Sequence, residues 1–261
     1  MKAACFSVAA MDYFPNKGCY YAGGNALNQS VRLTQLGVAC SFVGALGTDA
    51  FGDRLFSLLE RSGVDVSLVD RVTGISANNR IINDAKGERF GEKGAWVGGV
   101  FESYRIPEKV WQIIRNCDIW STHSSCPNFK EALRRKENNK LCVDYLHLPD
   151  SAVLKDTIER VDIAYVGGGP EMVGALSELS KTTDTLIVLT MGAEGSLCLD
   201  RGTQYAQEAL STDVVDTTGC GDAFQAGFTH SYFSSGSVAE ALRAGAELGK
   251  AATRHFGGVP W

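Results

Sequence analysis

No run of this chain approaches the roughly 20 consecutive apolar residues that a membrane-spanning helix needs. The N-terminal stretch MKAACFSVAAMDYF carries Lys2 ahead of an apolar run, but the run is short and holds Asp12. It reads as a first buried strand and not as a secretory leader. An excess of basic residues is missing too: 25 Lys and Arg against 30 Asp and Glu leave a formal net charge of −5. Without a general positive field, neither nucleic acid nor a membrane surface is an expected partner. The eight cysteines form no C-x-x-C pair, and most lie inside apolar segments. They read as reduced, buried thiols of a cytoplasmic protein more than as a disulfide framework. The four histidines are scattered, with no H-E-x-x-H, which argues against a zinc hydrolase. Internal repeats and low-complexity tracts are absent as well. The 261 residues suit one domain with ample chain for a sizeable core.

What is present is an alternation. Short apolar runs at 4–11, 40–46, 117–123, 140–145, 161–167 and 185–192 read as strands. Between them, 25–37, 51–63, 107–116 and 170–180 read as helices. In the second of these, Leu55, Leu58, Leu59 and Ser62 share one face and Gly63 supplies a stop. Two further helices are expected, from near Thr218 to about Phe233 and from about Val238 to Phe256. Apolar strands alternating with helices predict an α/β fold, a parallel sheet flanked on both faces. Residues 74–100 break the pattern, alternating apolar and polar around Asp84-Ala85-Lys86-Gly87. That predicts a β-hairpin. With 13–22 it would make a small sheet, either a plain surface feature or a lid that excludes water.

The segment DVVDTTGCGDAFQAGFTHSYF (213–233) carries the chemistry. Gly219, Cys220 and Gly221 stand at a helix start, where backbone N–H groups can converge on an anion. A phosphoryl group in transit is such an anion. Asp222 sits among them, placed to accept a proton from an attacking hydroxyl. Taken alone, such a segment is more often a tight turn followed by a helix-start acid. A dinucleotide oxidoreductase would instead need G-x-G-x-x-G directly after the first strand, and MDYFPNKGCYYAGG does not fit that.

The segment DTTGCGDAFQAGF resembles the second signature of the ribokinase-like (PfkB) carbohydrate kinases, with Cys220 where alanine is usual. AGGNALNQSVRLTQLGVACSFVGALGTDAFGDRL (22–55) is similar to that family's first signature, and GVDVSLV and TMGAEGS fall in family order. The resemblance covers nearly the whole chain. It implies a ribokinase-like, Rossmann-like sheet flanked by helices, in a single domain 1–261 with a small β-sheet lid. It implies transfer of the γ-phosphoryl group of ATP to a sugar-type hydroxyl, with Mg²⁺ as cofactor. By the same resemblance, Asp222 is the catalytic base, and the backbone of Gly219, Cys220 and Gly221 is the anion hole. Asp12, ending the first strand, would hold the acceptor together with Gly23, Gly24 and Asn25. Thr190, Gly192 and Gly195 would wall the ATP phosphates and ribose, with Ala246 and Lys250 near the adenine. Glu171 would reach Mg²⁺ through water, although Gly168 replaces the family's asparagine beside it. Asp216 and Thr218 mark a further expected site for a monovalent cation such as K⁺.

Within the family, the M-D-Y-F-P start and the terminal HFGGVPW are similar to the branch acting on fructosamines such as fructoselysine. That implies phosphorylation of the 6-hydroxyl of a ketosugar bearing an amino acid. Glu88, Arg89, Glu92 and Lys93 of the lid are then candidates to meet its charges. Another small sugar or a nucleoside is the alternative acceptor, and a non-catalytic sugar- or nucleotide-binding regulator the alternative role. A homodimer through the lid is a further expectation.

Overall fold

The computed structural model describes residues 1–84, 87–147 and 152–260. The expected turn residues Ala85 and Lys86, and the terminal Trp261, lie outside them. Among the described residues, one sheet runs in the order Thr203–Gln207, Ser196–Asp200, Leu186–Thr190, Ile163–Gly167, Lys140–Asp144, Ile119–His123, Lys2–Cys5, Ala39–Phe42. The last six are parallel, and the first two form an antiparallel edge.

The reason the parallel strands are apolar throughout is visible in their alternation. Ala3, Cys142, Ile163, Tyr165 and Val188 face one core, with Leu27, Val31, Phe224, Phe228 and Leu242 of three helices. Ala4, Leu141, Val143, Ala164 and Ile187 face the other, with Trp111, Phe129, Leu154 and Leu176. Side chains alternate across a strand, so a strand covered on both faces must be apolar at every position.

The chain winds from Lys2–Cys5 to its neighbour Ala39–Phe42, then returns to the other side of Lys2–Cys5 and steps outward. The winding direction therefore reverses between Lys2–Cys5 and Ile119–His123. At such a point the loops leaving the carboxyl ends diverge and open a crevice.

Two expected strands are each divided. The predicted 4–11 strand stops at Cys5, and Ala10–Phe14 joins a second sheet. Asp12 therefore does not end the first strand; it lies within the second sheet, opposite Tyr21 and Asn79. The physical cause is that the Val8 carbonyl accepts the Leu27 amide at 3.4 Å, at the start of the Asn25–Gln35 helix, instead of continuing a ladder. Likewise 40–46 divides into Ala39–Phe42 and Gly44–Gly47, the latter pairing with Val69–Val72.

The second sheet has the order Cys19–Gly23, Ala10–Phe14, Ala77–Asn83, Arg89–Gly91, and is the small sheet expected from 13–22 and 74–100. The expected helices appear as Asn25–Gln35, Ala50–Arg61, Glu108–Ile114, Val173–Ser180, Cys220–Ser235 and Val238–Ala252. Among the described residues no helix is long and apolar enough to cross a membrane.

Candidate active site

The Cys220–Ser235 helix begins on a left-handed residue, Gly219 at φ 75°. A Cβ there would stand 2.6 Å from the Gly258 Cα and 3.0 Å from the Asn28 Nδ2, so the position demands glycine twice over. The Cys220 amide is spent on the Thr217 carbonyl at 3.2 Å, and Ala223 donates to Gly219 O at 2.9 Å. The amides of Gly221 and Asp222 have no backbone acceptor among the described residues, as the first turn of a helix leaves them, and the Gly221 amide lies against the Cys220 sulfur. Gly221 has nothing within 4 Å of where a Cβ would stand, so the helix start borders open space there. Of the three residues expected to form the anion hole, Cys220 gives up its N–H to the turn.

Asp222 is gripped by amides. Asn25 Nδ2 donates to its Oδ1 at 2.8 Å and Asn28 Nδ2 to its Oδ2 at 2.7 Å. Asn25 Nδ2 also reaches Asp144 Oδ2 at 3.2 Å, and Ser7 Oγ steadies Asn25 Oδ1 at 3.2 Å. Burial pushes Asp222 up to about 7, the Asp144 carboxylate adds to the rise, and the two asparagines and Arg89 oppose it. Asp144 is itself raised by burial. A carboxylate poised near neutrality, with both oxygens oriented, can take a proton from a hydroxyl brought against it.

Asn25, Asn28, Gln29 and Arg32 fall at i, i+3, i+4 and i+7 of one helix and are all buried. Gln29 donates to Gln225 at 2.7 Å, and Arg32 meets His255 at 2.9 Å. This is a helical stripe with the spacing of an apolar one and the opposite polarity. It faces the Cys220–Ser235 helix. Asn28 and Asp144 were not singled out in the sequence, although the stripe and the acid at a strand's carboxyl end were both legible there.

Gly24 caps the Asn25–Gln35 helix at φ 102°, with the Val8 carbonyl 2.6 Å from where a Cβ would be. Asp12 is 5% exposed, and a Cβ on Gly23 would run into its carboxylate. Burial raises Asp12 to about 6, Arg89 pulling it down and Asp216 pushing it up. Arg89 is exposed on the small sheet, and its charge is felt by both Asp12 and Asp222. The structure thus brings Asp222, Asn25, Gly219, Gly221, Asp12, Gly23, Gly24 and Arg89 to one place. His123 ends a strand in register with Asp144; it is 7% exposed, held neutral by burial, and its Nδ1 has no partner among the described residues.

The other expected residues lie apart. Thr190 ends its strand half-buried, its hydroxyl 3.4 Å from Val166 O. Gly192 at φ 57° has no neighbour within 4 Å, whereas Gly195 at φ 94° is closed in by Gln207 and Ala209 backbone. Gly195 therefore serves the antiparallel edge as well as the loop. Ala246 packs against the core and Lys250 is half-buried, both on the Val238–Ala252 helix. Glu171 is exposed in a short turn, its carboxylate folded over Gly169. No hydrogen bond or ion pair among the described residues joins these six to Asp222. Asp216, fully buried, accepts from Asn83, Gly257 and both the amide and hydroxyl of Thr218. Three of these donors crowd its Oδ1 and one reaches its Oδ2, so a cation at this carboxylate would compete with donors already in place. No group of three or more acidic, His or Cys side chains among the described residues could cage a metal.

The sequence profile of the pfkB family carbohydrate kinases matches residues 15–166 and 170–260. Fructosamine kinase FrlD of Bacillus subtilis is 26% identical over 261 residues, covering 95% of this chain and 89% of its own. Fructoselysine 6-kinase of Escherichia coli is 24% identical over 245 residues, covering 90% of each. The structure of Arabidopsis thaliana ribokinase complexed with ribose and ATP superposes with a TM-score of 0.82 at 20% identity, covering 98% of this chain and 93% of that one.

Proposed function

Because the chain belongs to the pfkB family of carbohydrate kinases, and so is an ATP-dependent kinase of a small sugar-type acceptor, we propose that it phosphorylates the 6-hydroxyl of a fructosamine such as fructoselysine, with Asp222 as base. One observation supports the base above others: Asp222 is held by Asn25 and Asn28 at a helix start that borders open space at Gly221.

In this reading the acceptor hydroxyl lies against Asp222, whose carboxylate takes the proton as oxygen attacks the γ-phosphorus in line. The bond to the ADP oxygen breaks, and ADP leaves with the electron pair. The Gly221 and Asp222 amides face the oxygens of the transferring group, where charge develops. Gly192 and Thr190 border the nucleotide, with Ala246 and Lys250 beyond. Mg²⁺, when bound, would neutralise the phosphates; with no acidic cage among the described residues, the protein would hold it chiefly through ATP oxygens, with Glu171 at most through water.

The fructosamine acceptor rests on the two relatives of that activity, each matched over nearly its full length. A glycated amino acid carries a cationic amine and a carboxylate. Among the lid candidates, Glu92 is committed to Arg80 at 2.5 Å, while Arg89 and Lys93 are exposed. Arg89, near Asp12 and Asp222, is the residue to meet the carboxylate, and Asp12 to hold sugar hydroxyls.

A coupled ADP-release assay over ribose, fructose, nucleosides and fructoselysine tests this directly. The expected result is the highest kcat/KM on fructoselysine; far better turnover of ribose or fructose would overturn the acceptor. Asp222→Ala should lower kcat by roughly 10²–10⁴-fold with ATP affinity retained.

A further inference from the structure

The tip of the small sheet touches the segment that leads into the Cys220–Ser235 helix. Asn83 Nδ2, at the end of the strand Ala77–Asn83, donates to Asp216 Oδ1 at 2.8 Å. The same Asp216 oxygen accepts the Thr218 amide at 3.1 Å and the Thr218 hydroxyl at 2.8 Å. Thr218 directly precedes Gly219, whose left-handed backbone starts the helix. Around this contact the Thr217 amide donates to Gly87 O at 3.1 Å, and the Arg89 amide to Thr217 Oγ1 at 3.0 Å. Gly87, at φ 82°, has Val214 Cγ1 3.0 Å and the Val215 carbonyl 3.2 Å from where a Cβ would stand, so the two segments are in tight contact.

We propose that Asn83 is a positioning residue that couples seating of the lid to the shape of the phosphoryl-binding turn, acting through the Asp216 carboxylate. Asp216 has no solvent exposure with the tip seated, so there its donors all come from the protein. When the lid tip is seated, Asn83 completes the set of donors that fixes Asp216, and Asp216 fixes Thr218 and the amides beyond. When the tip lifts, Asp216 loses one of four donors and Thr218 its rigid anchor. The turn is thereby complete only with the lid down, so free ATP meets an incomplete site. The proposal rests on the kinase reading above, because it assigns the turn to the phosphoryl group.

Two variants and two readouts test it. Asn83→Leu keeps the size and removes the donor. It should lower kcat on the order of tenfold, with faster hydrogen exchange at the Thr217 and Thr218 amides. Asn83→Asp places a second carboxyl against Asp216, beside the titratable groups Asp12, Tyr21 and His255 that also sense Asp216, with Glu88 and Arg89 close by. An added carboxylate supplies no donor and brings like charge to Asp216, so Asn83→Asp should lower kcat and amide protection at least as far as Asn83→Leu. Wild-type kcat and unchanged amide protection in Asn83→Leu would overturn the proposal, as would the same result in Asn83→Asp. If the wild type phosphorylates no acceptor, the kinase reading fails, and the exchange measurement still decides the coupling.

Discussion

Asp222 shares one asparagine with Asp144, and that sharing sets how it should titrate. Asn25 Nδ2 lies between the two carboxylates, closer to Asp222. Burial is the largest cause of Asp222's rise and Asp144 the next. Asp144→Asn removes that second cause, so the acid limb of the kcat/KM profile should move to lower pH, read from a pH–rate curve. An unmoved limb would show that the limb reports another group. Cys220 is a quieter residue. Burial, then Asp222, pushes its thiol up to about 11, which leaves it protonated and weakly nucleophilic at neutral pH. Of the site residues, Asp222, Asn25 and the glycines were legible because a family signature spans them. Asn28 and Asp144 were legible only as a member of a polar stripe and an acid at a strand end, because the partner that gives each its role is distant in sequence.

At the scale of elements, the two glycines of the helix start make opposite predictions. Gly219 is left-handed and pressed against Gly258. Gly219→Ala should cost about 1–2 kcal/mol from the backbone alone, more with the clash, and should lower Tm as well as turnover. Gly221 has open space above it, so Gly221→Ala should melt like wild type while losing turnover, its methyl standing where a phosphoryl oxygen would go. Thermal melts paired with steady-state rates separate the two. The strands and helices were readable from period and from stops such as Gly63. The breaks at Phe6–Ala9 and at Val43 were not, because apolar residues continue through them while the backbone changes sheets. The edge hairpin Ser196–Asp200 and Thr203–Gln207 was not anticipated either. Its turn, Arg201 at φ 47° and Gly202 at φ 83°, is a two-residue connection that the Arg-Gly pair could have signalled.

At the scale of the molecule, the site is maintained against stability. Asp12 and Asp222 are raised to about 6 and about 7 in the folded chain, above the roughly 3.9 of an unfolded aspartate. The native state then binds more protons than the unfolded chain between those values. Their contribution to stability is full below about pH 4 and is lost as pH rises through about 6 and 7. Asp222→Asn should therefore raise Tm at alkaline pH relative to wild type and flatten the Tm–pH profile, as scanning calorimetry would measure. A parallel profile for variant and wild type would contradict a buried carboxylate whose desolvation outweighs its two amide donors.

The order of apolar runs determined an α/β sheet with helices on both faces, because a strand covered twice must be apolar throughout. The glycine-rich helix start and its acid were likewise determined locally, since backbone freedom and the first free amides belong to a few adjacent residues. Tertiary structure alone decided which groups meet Asp222, that Asp12 sits in the small sheet, and that Asn83 reaches Asp216. Those pairings join segments far apart in the chain, and hydrogen bonding in a closed interior, which no local pattern encodes, selects them.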